Sequence, residues 1–158
     1  MKKITSEITL NYRYDASHPL CHYTLDGVHY MNGGDFAEIL DKSARGLEPV
    51  KDANTPFDVD SDIPELSISV KSQRCGLTDR RLADNLADYV RIFFDKVHSK
   101  FFDWVVMLDN QVLVYTMDTK EFKQFVDKFI TWDKHSAKPR FGVTSSKMLA
   151  WLEERVVA

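Results

Sequence analysis

The sequence predicts an α/β domain, one mixed β-sheet flanked by helices, and three features carry that prediction. Apolar and polar residues alternate in "ELSISVKSQR", the period of a strand. The apolar run "FDWVVMLDNQVLVYTM" breaks at Asp109-Asn110, as two strands joined by a turn would. Segments between and after these carry apolar residues at helical spacing, and 158 residues that are 44% hydrophobic suffice for a single domain with a real core.

Each element has its own local signal. "CHYTLDGVHYM" is a hairpin, because Asp26-Gly27 fits a two-residue turn between alternating strands. In that register Cys21, Tyr23, Leu25, Val28 and Tyr30 share one face, and His22, Thr24, His29 and Met31 the other. "GGDFAEILDKSARG" reads as a short helix, with Asp35 as N-cap, Glu38 three residues on and Gly46 as the stop. A Pro-punctuated stretch follows, with a short strand over 57–60, and then the "SISVKS" strand. The longest helix spans about 78–98: Leu82, Leu86, Val90, Phe93 and Val97 form its apolar stripe, opposite Arg81, Asp84, Asp88, Arg91 and Asp95. After the strand pair, "DTKEFKQFVDKFI" is an amphipathic helix that Asp118 or Thr119 caps. A basic loop, "KHSAKPR", leads to a final helix over about 144–156. No repeat, low-complexity tract or interdomain linker interrupts the chain, so residues 1–158 are expected to form one domain.

Composition narrows the function classes. The chain opens "MKKITSEI" without a signal-like apolar segment and has two cysteines, Cys21 and Cys75, so a reducing, cytoplasmic setting is expected. No apolar run approaches the length of a membrane span. Net charge is −3, which argues against a protein that merely coats DNA. The charge is uneven: residues 1–70 carry 6 basic and 12 acidic side chains, whereas residues 71–100 carry 7 and 4. The change of sign falls at Lys71.

Around Lys71 the residue types suggest chemistry. Ser69 and Lys71 share a face of their strand, opposite Ile68 and Val70. Asp58, Asp60 and Asp62 lie on the arm just before, and folding that arm back brings at least one carboxylate near them. Carboxylates hold a hard divalent cation such as Mg²⁺, and a neighbouring ammonium orients water or stabilises charge building on a phosphate. Those are the minimal parts for phosphodiester hydrolysis. The plainer reading is a solvent-facing lysine and a turn rich in aspartate.

The order of elements around this group resembles the PD-(D/E)xK nuclease superfamily, over roughly residues 30–130. The matching parts are Glu38 in "GGDFAEIL", Asp58 in "TPFDVD", Ser69-Val70-Lys71 in "SISVKS", the helix "LTDRRLADNLADYVRIFF" and the strand pair after it. The resemblance implies a restriction-endonuclease-like fold and hydrolysis of DNA with Mg²⁺ or Mn²⁺. Asp58 and Glu38 would be metal ligands, with Asp60 as second choice, and Lys71 would position water or stabilise the transition state. A homodimer is also implied. Ser69 stands where the family has an acid. A subgroup of type II restriction endonucleases shows the same S-x-K, with a glutamate on the next helix supplying the missing charge. Asp84, 13 residues after Lys71, matches that role in distance, and Asp79 is the alternative. Without such a rescue the chain is a nuclease-fold protein that binds DNA or a protein partner and does no chemistry.

Gln73 and Arg74 end the strand and are candidate phosphate contacts. In the basic loop, Lys134, Lys138 and Arg140 are candidates for the same role, with Trp132 or Phe141 nearby for packing or base stacking. A joint metal site of His18, Cys21, His22 and His29 is disfavoured, because the hairpin puts Cys21 and the two adjacent histidines on opposite faces.

Overall fold

A computed structural model describes residues 1–7, 12–14, 23–25, 28–30, 37, 40, 41, 44–46, 68–72, 77, 85–97, 99–108, 111–135, 138–142 and 144–157. These residues form a small mixed α/β domain. Its strands are β1 (Lys2–Glu7), β2 (Tyr12–Tyr14), β3 (Tyr23–Leu25), β4 (Val28–Tyr30), β5 (Ile68–Ser72), β6 (Phe101–Met107), β7 (Gln111–Asp118), β8 (Thr131–Asp133) and β9 (Lys138–Arg140). The helices are α1 (Leu86–Lys96), α2 (Thr119–Phe129) and α3 (Ser146–Glu154). Residues 37, 40, 41, 44 and 45 also have helical backbone.

The main sheet has the order β1-β7-β6-β5. β6 and β7 form the expected antiparallel hairpin, closed by Leu108 N–H donating to Gln111 C=O at 2.9 Å. β5 runs parallel to β6, so α1 is the crossover between them, as parallel neighbours require. At the other edge β1 pairs antiparallel with β7, Ile4 opposite Val114. No strand is expected over residues 2–7 from the sequence, since "KKITSE" has little apolar signal; a partner far along the chain makes it one. The β3–β4 hairpin takes the expected register, with Leu25 opposite Val28, and β2 extends it into a three-stranded sheet. The strand expected over 57–60 lies outside the described residues.

All three of these helices start where side chains can satisfy their free N–H groups. Asp118 caps α2 with Glu121 completing the capping box, one of the two expected caps. α1 begins later than the periodicity suggests. Asn85 has extended backbone (φ −137, ψ 161) and its side chain accepts from the Asp88 N–H at 2.9 Å, which starts the helix at Leu86 rather than near 78. α3 is likewise shorter than expected, capped by Ser145. Gly46 ends the short helical segment as anticipated: its φ of 66° is the left-handed conformation that glycine adopts without a Cβ clash.

One face of the β6–β7 hairpin holds the core. Phe102, Trp104, Val106, Leu113, Tyr115 and Met117 pack with Phe122, Phe125 and Val126 of α2 and Met148 and Leu152 of α3. Phe102 stacks on Phe122, centroids 4.1 Å apart and planes within 10°, which adds aromatic attraction to plain burial. α3 is tied down at its far end, where Tyr115 Oη donates to Glu153 at 2.6 Å and Lys3 pairs with the same carboxylate. The opposite face of the sheet is also covered, since Val105 and Val114 are fully buried. A sheet buried on both faces reads as a continuous apolar run, which is the pattern seen in β6 and β7.

Candidate functional site

β5 places Ser69 beside Phe102 and Lys71 beside Trp104 in the parallel register, with Val70 level with Asp103. The strand that carries the S-x-K sequence is thus an edge strand of the described sheet, hydrogen-bonded to its most buried strand. Glu38, Asp58, Asp60, Gln73, Arg74, Asp79 and Asp84 lie outside the described residues. Among the described residues no group of three or more His, Cys, Asp or Glu side chains is placed to hold a metal ion, so these residues do not by themselves make a Mg²⁺ site.

Next to β5 lies a polar cluster that sequence reasoning missed. Asp103, at the middle of β6, is fully buried. Arg45 reaches it from the short helical segment and makes a forked contact: Nε donates to Oδ2 at 2.7 Å and Nη2 to Oδ1 at 2.8 Å. Arg45 Nη2 also donates to Thr116 Oγ1, whose hydroxyl in turn donates to Asp103 Oδ1 at 2.8 Å. Thr116 is the direct cross-strand partner of Asp103, so sheet register alone brings these two together. Arg45 arrives because Ala37 and Leu40, on the same helical segment, are buried.

Asp41 completes the group on unequal terms. Its side chain is fully buried, and Oδ1 stands 3.4 Å from Arg45 Nε, within Coulombic reach but outside hydrogen-bond geometry. Neither Asp41 oxygen accepts a hydrogen bond among the described residues, but as a protonated acid Asp41 can donate one to the neighbouring Asp103 carboxylate. Burial first, and then the negative charge of Asp103, push its carboxyl up to about 9, against the smaller opposing pull of Arg45. Asp41 therefore keeps its proton at neutral pH, and the cluster is a neutral acid beside a matched ion pair. Burial works against the charge on Arg45, but its hydrogen bonds and proximity to Asp103, then Asp41, outweigh that and hold its pKa above the ordinary value.

A legible signal did exist. Asp103 is a lone charge inside "FFDWVVM", and Asp41 and Arg45 are spaced i, i+4 on a helix beside Leu40. Buried charge needs a partner, and an aspartate in a core strand announces that one must come from elsewhere.

The basic loop is in fact a hairpin, and of the two roles expected for its aromatics, packing or base stacking, Phe141 takes packing. β8 and β9 pair with Trp132 opposite Pro139. Phe141 is only 1% exposed, packed against Trp104 and Phe125, so it belongs to the core and offers no ring for a base. Trp132 is half-buried against Tyr89. Lys134 and Arg140 are exposed, and Arg140 reaches Asp133 at 3.5 Å; Lys138 is half-buried on β9. The hairpin is tied to the chain beyond β5, since Leu77 N–H donates to Pro139 C=O at 3.4 Å.

Elsewhere, a groove of about 590 Å³ between α1 and α2 is floored by Leu86, Val90, Phe94 and Ile130 and rimmed by Arg91, Asp95, Lys123 and Asp127. Neither β5 nor the Asp103 cluster lines it. Among the described residues no helix is long and apolar enough to cross a membrane. Comparison with protein-family models, curated proteins and solved structures finds no match.

Proposed function

We propose that this chain is a nuclease with a restriction-endonuclease-like fold that hydrolyses DNA phosphodiester bonds in the cytoplasm. The observation that carries the reading is the β5–α1–β6 unit. A strand bearing Ser69-Val70-Lys71 leads through a helix into a buried parallel strand, in the order the superfamily pattern requires. In this reading Lys71 supplies the positive charge that orients water or stabilises the developing phosphorane, and Asp58 and Glu38 supply the carboxylates for Mg²⁺ or Mn²⁺. Asp60 and Asp84 are the reserve ligands that compensate for Ser69. Gln73, Arg74, Lys138 and Arg140 contact the DNA backbone, and the working form is a homodimer.

The deciding experiment is cleavage of supercoiled plasmid with Mg²⁺ or Mn²⁺ by the wild type, Asp58→Asn and Lys71→Ala. Nicking or linearisation by the wild type alone supports the reading. Equal activity in all three, or none in any, overturns it.

Ser69 favours a second reading, a nuclease-fold protein without catalysis that binds DNA or a protein partner. A hydroxyl is a weaker ligand for a hard cation than a carboxylate and brings no charge. Titration calorimetry with Mn²⁺ separates the two, because the non-catalytic protein has no need of a cation at this strand.

A further inference from the structure

We propose that the groove between α1 and α2 is the surface through which two copies of this chain pair, each laying its α1–α2 face on the other's. The proposal deepens the homodimer of the nuclease reading by naming its interface, and it rests on that reading only for the expectation of a dimer.

Helix direction sets the pattern of charge around the groove. Phe94, near the end of α1, packs against Phe122 near the start of α2, ring centroids 6.0 Å apart. Tyr89, nearer the start of α1, meets Trp132 just past the end of α2 at 5.6 Å. The two helices are therefore antiparallel. Arg91 comes one turn before Asp95 on α1, Lys123 one turn before Asp127 on α2, and all four line the groove. Asp95 and Lys123 thus lie toward one end of the groove, and Arg91 and Asp127 toward the other. The rim is a square of alternating sign with no net charge.

Such a square is complementary to itself. A two-fold axis lying in this face and along the groove sets Arg91 against Asp127 of the second copy, and Lys123 against Asp95 of the second copy. An axis across the groove sets Arg91 against Asp95 and Lys123 against Asp127. Every rim contact is attractive, as an interface made of the same patch twice requires. A polyanion or a strongly basic partner meets two like charges there. Within their own helices these pairs gain little. The acid follows the base by four residues, the weaker order, and both carboxylates sit in the last helical turn, where the macrodipole opposes them. Arg91 and Asp95 stay 63% and 66% exposed even at 3.6 Å, so that contact adds little stability. The floor supplies the driving force. Leu86 and Phe94 are only half-buried and Ala87 is exposed, which leaves apolar surface in water until a second copy covers it.

The test is sedimentation of the full chain over about 5–200 µM, where a dimer held by a small interface dissociates. The wild type is expected to pass from monomer to dimer across that range. Ala87→Glu puts bulk and charge into the groove, and Lys123→Glu leaves three acids on its rim. Each is expected to raise the dimer dissociation constant about tenfold or more. Both positions are exposed, so circular dichroism should show the fold unchanged. Mixing Lys123→Glu with Asp95→Lys restores pairing, as a heterodimer, when the axis runs along the groove; mixing it with Asp127→Lys does so when the axis runs across. A wild type that stays monomeric at the top of the range overturns the proposal. So does a dimer that neither Ala87→Glu nor Lys123→Glu weakens, or rescue in neither mixture. Plasmid cleavage is scored separately. A dimer with these properties that cuts no DNA removes the nuclease reading and leaves the interface standing, whereas an active monomer does the reverse.

Discussion

The Asp103 carboxylate, wholly shielded from solvent, receives both of its ion-pair hydrogen bonds from one residue, Arg45, 58 positions earlier in the chain. Breaking that pair from one side leaves the part-buried Arg45 guanidinium without its forked partner. Asp103→Asn is therefore expected to cost about 3–5 kcal/mol in urea unfolding. A loss below about 1 kcal/mol would mean that Arg45 finds water or another partner at once.

Asp41 gives stability a pH dependence of unusual sign for a carboxyl. Its folded value is raised to about 9 from the ordinary 3.8, so between those limits the folded state holds a proton that the unfolded state has released. Stability from this group is complete below the lower value, falls as pH rises, and levels off above the upper one, at about 1.4 kcal/mol per pH unit for one proton. Asp41→Asn mimics the protonated acid and removes that slope. The variant is expected to melt higher than the wild type at pH 8, with the gap closing toward pH 5. Parallel melting-temperature profiles across that range would show that Asp41 is ionised in the folded protein.

Phe122 and Asp118 act on the same helix through different physics. Phe122→Ala empties a fully buried site against Phe102 and should cost about 3–5 kcal/mol. Asp118→Ala removes only the cap of α2 and should cost about 1 kcal/mol. Chemical unfolding of both, with circular dichroism of the folded states, checks the order; equal losses would mean that the core re-closes around the missing ring.

On the DNA-binding reading, the β8–β9 hairpin contributes charge and no ring. Lys134→Glu with Arg140→Glu should weaken binding of a fluorescent duplex uniformly across sequences. The slope of log K against log salt should fall by roughly 1 for each phosphate no longer neutralised. The pair costs little stability, since Arg140 meets Asp133 at the exposed surface. Phe141→Ala, in contrast, should destabilise the fold. An unchanged salt slope in the charge-reversed protein would take the hairpin out of the interface.

Much of the fold is legible because its signals are local. The two-residue spacing around Asp26-Gly27, the Asp118 cap and the Gly46 stop each depend on residues within one turn of chain. Helix α1 comes out too long from the sequence because periodicity has no sense of an end: Leu82 fits the stripe as well as Leu86 does, and only the Asn85 cap marks the start. The S-x-K segment is a strand in both the sequence pattern and the structure. The carboxylates assigned to it from the upstream arm and the following helix lie outside the described residues.

By itself, then, the sequence determined the periods and punctuation of the elements, along with the mixed α/β class. Tertiary structure alone decided which distant pieces meet. Residues 2–7 become a strand because β7 offers an open edge, Phe141 leaves the basic hairpin for the core, and Arg45 crosses to Asp103. The physical reason is the same in each case. Burial and charge pairing depend on what the folded chain brings alongside, and a residue's sequence neighbours carry no record of that.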